Sequence, residues 1–154
     1  MRAYQLLQAA SVVGGTLMTC SVSLADNCSG HDVLVNRFTE ATEVANGHTL
    51  TTMIDYSVVT SDDYRIVDAT TGECAATMLT FPDGNTKVSG HCVRRDKDGD
   101  SYSVEFSSVP GTAGTAWKVI AGTGKFTGNA SSGRAQSVVH DGKIILVKWT
   151  GTCK

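Results

Sequence analysis

Apolar and polar positions alternate along much of this chain, and no segment holds the period of a helix face. Tyr102, Val104 and Phe106 set between Ser103, Glu105 and Ser107 predict a strand over 102–108 with one face to water. Turn chemistry divides the remainder. Ala45-Asn46-Gly47-His48 separates β-rich runs at 33–44 and 49–60, and His140-Asp141-Gly142-Lys143 separates runs at 134–139 and 144–150. Asn-Gly and Asp-Gly in such settings predict tight hairpins whose two central residues take positive φ. Phe81-Pro82-Asp83-Gly84 predicts a type I turn with a bulge at Gly84, joining strands at 75–81 and 88–95. A polar turn at 96–100 and a run at 116–120 bring the total to about eight strands in meander order. Residues 61–72 are polar and read as a loop.

Short antiparallel strands in this number form either a sandwich or a closed barrel. Closure removes the unpaired edges that invite aggregation, so an all-β, antiparallel meander barrel is the expected architecture. The 154 residues suit a single domain with one core. A net charge of −2 argues against an electrostatic nucleic-acid binder, and 41% hydrophobic residues argue against disorder.

The first 25 residues stand apart. Arg2 precedes an uncharged, largely apolar stretch at 6–24, and Ser23-Leu24-Ala25 forms a small-x-small cleavage pattern. Residues 1–25 therefore read as a secretory signal peptide and 26–154 as the barrel domain, secreted or periplasmic, with no membrane span after cleavage. Two alternatives are a membrane anchor, diluted by Gln8, Gly14, Gly15, Thr16, Thr19 and Ser21, and a lipid-modified Cys20, poorly flanked by Met18 and Thr19. Loss of Cys20 leaves Cys28, Cys74, Cys92 and Cys153, an even set that predicts two disulfides in an exported chain. With Phe81 opposite Asn85, counting outward along both strands sets Cys74 opposite Cys92, within disulfide reach. Elimination pairs Cys28 with Cys153, which joins the first mature residues to the last strand and favours closure.

Gly122-Thr123-Gly124-Lys125-Phe126-Thr127-Gly128 interrupts the alternation, following Trp117-Lys118-Val119-Ile120-Ala121. It resembles the G-G-T-G-K/R-F segment of allene oxide cyclases and plant dirigent proteins, with Ala121 in place of the first glycine. In those families the segment lies between two late strands of an eight-stranded barrel. Most of the mature chain is also similar to bacterial secreted proteins of unassigned role. The resemblance implies the barrel, with Gly122, Gly124, Phe126 and Gly128 as its motif residues. Glycine permits positive φ and close backbone approach, and Phe126 is placed to plug one end. No catalytic residue is carried over, because the polar residues of those enzymes find no matching motif here.

Other conspicuous segments read as ordinary turns. Asp96-Lys97-Asp98-Gly99-Asp100 imitates the opening of a calcium loop, but Ser101 and Ser107 stand where glycine and a bidentate glutamate are needed. Gly122-Thr123-Gly124 lacks the context of a phosphate loop. His31, His48, His91 and His140 lack metal-ligand spacing. His48 and His140 flank turns and are expected to be exposed, while His91 could face either way. Asp62-Asp63 reads as a solvated pair, Arg94-Arg95-Asp96-Lys97 is too short and acidic for a nucleic-acid patch, and no G-x-S-x-G elbow occurs. Asn27-Cys28-Ser29 and Asn129-Ala130-Ser131 fit the glycosylation pattern, which matters only in a eukaryotic secretory route. No cofactor, metal or nucleic acid is expected.

Three functional readings remain. The preferred one is an exported, non-catalytic barrel for a small hydrophobic ligand, with Met53, Tyr56, Met78, Phe106 and Trp117 lining the interior or filling it as core. The second is a cyclase- or dirigent-type enzyme on an oxidised lipid or phenolic substrate, which needs a perturbed ionisable group facing a cavity. Asp55 and Glu105 are the strand carboxylates to consider, and alternation with Ile54 and Phe106 places both outward. The third is a secreted interaction or inhibitor module, with an exposed apolar patch and no cavity.

Overall fold

In a computed structural model describing residues 26–64, 67–108 and 112–154, eight antiparallel strands follow one another around a closed barrel. They are β1 (Asp26–Val44), β2 (His48–Ser61), β3 (Thr70–Thr80), β4 (Thr86–Arg95), β5 (Ser101–Ser108), β6 (Thr115–Gly122), β7 (Ser132–His140) and β8 (Ile144–Cys153). Closure is made by β1 against β8, in register from Asp26 opposite Cys153 to Val35 opposite Ile144. The signal-peptide expectation falls on residues 1–25, outside the described residues.

Both disulfides form as the cysteine arithmetic predicts. Cys74 lies directly opposite Cys92 in the β3–β4 ladder, with Cα atoms 4.0 Å apart. The turn that sets this register closes through Phe81 N–H to Asn85 O at 2.8 Å, with Gly84 at φ +84°. Cys28 joins Cys153 across the β1–β8 seam, Cα to Cα 5.9 Å.

Three local expectations need correction. β1 begins at Asp26 rather than at 33, because its early inward positions, Cys28, Gly30 and Asp32, are small or polar and give no apolar rhythm. Gly30 is required there: a Cβ would sit 2.4 Å from the Trp149 indole. β3 begins at Thr70 and so takes in the last residues of the expected loop; buried Thr70 shares a 2.9 Å hydrogen bond with the Tyr102 hydroxyl. Asn46 and Gly47 both have positive φ, but at the 140–143 turn only Gly142 does. There the Asp141 carboxylate accepts the Lys143 and Ile144 amides, a local bond that removes the need for a second left-handed residue.

The packed core sits at the end where Asp26 and Cys153 meet, which we call the base. Phe126 is 0% exposed and tilts against Tyr102 at 4.7 Å between ring centroids, with Val67 and Trp149 in the same buried cluster. The glycines before Phe126 are explained by close approach. A Cβ on Gly122 would lie 2.2 Å from the Phe126 carbonyl oxygen, and one on Gly124 1.9 Å from an Asp100 carboxylate oxygen. Asp100 also accepts the Lys125 amide at 3.1 Å, while Lys125 Nζ reaches Asp96 Oδ2 at 2.5 Å. The calcium-like turn is thus occupied by the lysine of the glycine-rich segment, which holds the Asp96 carboxyl below its usual pKa range.

Candidate functional site

Toward the opposite end the barrel is hollow. A cavity of about 1420 Å3 opens there between the 81–87, 112–115 and 140–142 segments and ends beneath at Val67, Tyr102 and Trp149, which belong to the buried cluster around Phe126. It exceeds the roughly 300–1,000 Å3 typical of small-molecule sites. Its wall is mainly apolar: Leu34, Met53, Met78, Phe106, Trp117 and Val147 contribute from six strands. Of the five residues considered from sequence as lining or core, four line it. Tyr56 does not; its side chain faces outward, paired with Val35 and Glu73 on the neighbouring strands.

A small polar set interrupts this wall. Asp32 on β1 and Arg94 on β4 form a buried ion pair through Oδ2 and Nη2. Ser57 on β2 completes the triangle, receiving Arg94 Nε at 2.9 Å and donating to Asp32 Oδ1 at 2.7 Å. Arg94 Nη2 also lies 3.5 Å from Cys92 Sγ. Removing one member of such a pair leaves an uncompensated buried charge and costs about 3–5 kcal/mol. Sequence reasoning missed all three residues. A signal for Arg94 existed, since a residue two positions from an inward cysteine shares its face.

Asp55 corrects a further expectation. It faces inward, 4% exposed, and Asn36 Nδ2 donates to its Oδ1 at 3.0 Å. Burial pushes its pKa up, partly opposed by the Asn36 hydrogen bond. Glu105 faces outward as expected, pairing with Lys118 at 3.4 Å and standing 3.9 Å from His91 Nε2. Of the histidines, His91 and His140 are exposed, the latter at the cavity mouth. His48 is half-buried instead, its ring edge-on to Phe81 at 5.3 Å. Asp62 and Asp63 accept hydrogen bonds from Ser29 and fasten their loop to β1. Among the described residues, no cluster of His, Cys, Asp and Glu is placed to hold a metal ion, and no helix is long and apolar enough to cross a membrane.

Comparison with known proteins gives one kind of match. No protein-family model matches the chain, and no curated protein is similar to it. Solved structures are. The pterocarpan synthase dirigent protein GePTS1 aligns with a TM-score of 0.53 at 11% identity, over 94% of this chain and 96% of its own. A second pterocarpan synthase dirigent protein, PsPTS1, gives 0.53 at 12%, over 84% and 94%. A protein of unknown function from Clostridium acetobutylicum ATCC 824 gives 0.56 at 10%, over 86% and 99%. In fold the barrel resembles those of these dirigent proteins. Identities this low carry the fold alone.

The outer surface is not featureless. Val35, Phe38, Ile54, Tyr56, Val139 and Ile144, on the adjacent strands β7, β8, β1 and β2, are all exposed. An apolar outer face and a cavity therefore occur together, where the interaction-module reading expected the first without the second.

Proposed function

We propose that this chain is an exported, non-catalytic binding barrel that holds a small, mainly apolar molecule. The carrying observation is the mouth-open cavity, apolar over most of its wall and ending at the base on the buried cluster that holds Phe126. Two disulfides suit an oxidising compartment, and the 6–24 stretch suits export. The hydrogen-bond partner of Asp55 is Asn36, an amide that neither takes nor gives a proton, and Asp32 and Arg94 are committed to each other. Such a set orients a ligand more readily than it transfers protons. Titration of the purified protein with the neutral dye Nile red should give saturable fluorescence enhancement. Ala76→Phe, which fills the wall from β3, should abolish it while leaving the far-ultraviolet circular dichroism of the barrel intact. Unsaturable enhancement, or full binding by Ala76→Phe, would overturn the proposal.

A second reading is favoured by one observation. Asp55 is a cavity-facing carboxyl with a raised pKa, the feature required of a cyclase- or dirigent-type enzyme on an oxidised lipid or phenolic substrate. Turnover of such a substrate that is lost in Asp55→Asn would replace the first reading with this one.

A further inference from the structure

The charges facing the cavity balance in number but not in place. Asp32 and Arg94 neutralise each other, and Lys87 and His140 stand out at the exposed mouth. Asp55 is left deep in the wall. Its Oδ1 accepts Asn36, whereas its Oδ2 accepts no hydrogen bond among the described residues. Its inward neighbours along and across the sheet are Met53 and the disulfide-bonded Cys74, which offer it no cation. An ionised carboxylate held this way is costly unless something pairs with it.

We propose that the natural ligand is a cationic amphiphile, an amine whose ammonium group pairs with Asp55 Oδ2 while its hydrocarbon body fills the cavity toward the mouth. This rests on the binding reading above and names the chemistry of the ligand. The groups facing Asp55 set the sign of the effect. From β1 come Asp32 and the neutral Asn36, from β3 the non-titrating Cys74, from β4 Arg94, and from β7 His140. Burial is the main reason the Asp55 carboxyl holds its proton more tightly than usual; Asp32 adds to it, while the Asn36 hydrogen bond and the charge of His140 oppose it without reversing it. An ammonium beside Oδ2 supplies the missing counter-charge and favours the ionised form. An anionic ligand meets repulsion from Asp55, and a neutral one leaves the carboxylate unpaired.

The test is displacement of Nile red from the purified protein by three probes of equal chain length: decylamine, 1-decanol and decanoate. Near neutral pH, decylamine should compete at about ten- to hundredfold lower concentration than 1-decanol, the range expected of a charge-assisted hydrogen bond. Decanoate should be the weakest. The amine's advantage should shrink as the pH is lowered through the ionisation of Asp55. In Asp55→Asn the ratio of amine to alcohol competition should fall to about one, whatever Nile red affinity the variant has, and far-ultraviolet circular dichroism reports whether the barrel is intact. Equal competition in the parent protein, or an advantage that survives in Asp55→Asn, overturns the cationic ligand and leaves the binding barrel standing. Failure of Nile red and all three probes to bind removes both.

Discussion

The two ends of this barrel are built to opposite rules. At the base, aromatic rings, two disulfides and the glycine-rich segment bring side chains into contact until Phe126 has no exposed surface. Toward the mouth the same strands carry Met53, Met78 and Phe106, which are only half-buried because they face a void rather than one another. Stability is concentrated at one end, leaving side chains at the other free to contact a guest. Buried area and its free energy follow that division.

The largest test of this contrast is the clasp between the chain ends. Replacing Cys28 and Cys153 together by alanine releases a loop with a sequence separation of 125. The chain-entropy relation puts the loss at about 5 kcal/mol, against about 3 kcal/mol for Cys74 with Cys92, read from urea unfolding midpoints. Smaller, and sharper as a comparison, is Phe126→Ala against Met78→Ala. Phe126→Ala should cost about 3–5 kcal/mol by the same measurement. Met78→Ala, whose side chain already borders empty space, should cost roughly 1 kcal/mol or less. Comparable losses would mean that the upper half is as tightly held as the base.

The smallest effect has a distinctive pH signature. The Asp55 carboxyl is raised in the folded state, so the folded chain binds its proton more tightly than the unfolded one. That contribution to stability is fully present below the usual carboxylate range and is lost as pH rises through the raised value. Asp55→Asn should therefore be more stable than the parent at neutral pH and indistinguishable from it in acid. Urea midpoints across that range decide it; an opposite slope would mean that Asp55 is stabilised as a carboxylate.

Register was legible in the sequence wherever a turn fixed it. Phe81 to Asn85 determined the Cys74–Cys92 pairing by counting alone, because no bulge lies between turn and cysteines. Facing was less legible, and β2 shows why. Its outer positions Leu50, Ile54, Tyr56 and Val58 are more apolar than the inner Thr51, Asp55 and Ser57. Alternation alone therefore assigns the wrong face to Asp55. Asp55 and Ser57 are tolerated because Asn36 and Asp32 on neighbouring β1, and Arg94 on β4, satisfy them, contacts that no count along a single strand supplies. A bulge between Asn36 and Phe38 also breaks any count carried from the Asn46-Gly47 turn. The start of β1 was hidden for a related reason: Cys28, Gly30 and Asp32 are buried by their partners on β8 and β2 rather than by their own hydrophobicity.

Asp26 and Cys153 face each other at the plugged end, as far along the strands as possible from the opening. A tether or fusion partner joined at Lys154 would leave the entrance clear and pointing away from the point of attachment. The molecule can thus be fixed to a sensor surface by its C-terminal tail with its cavity facing the solution.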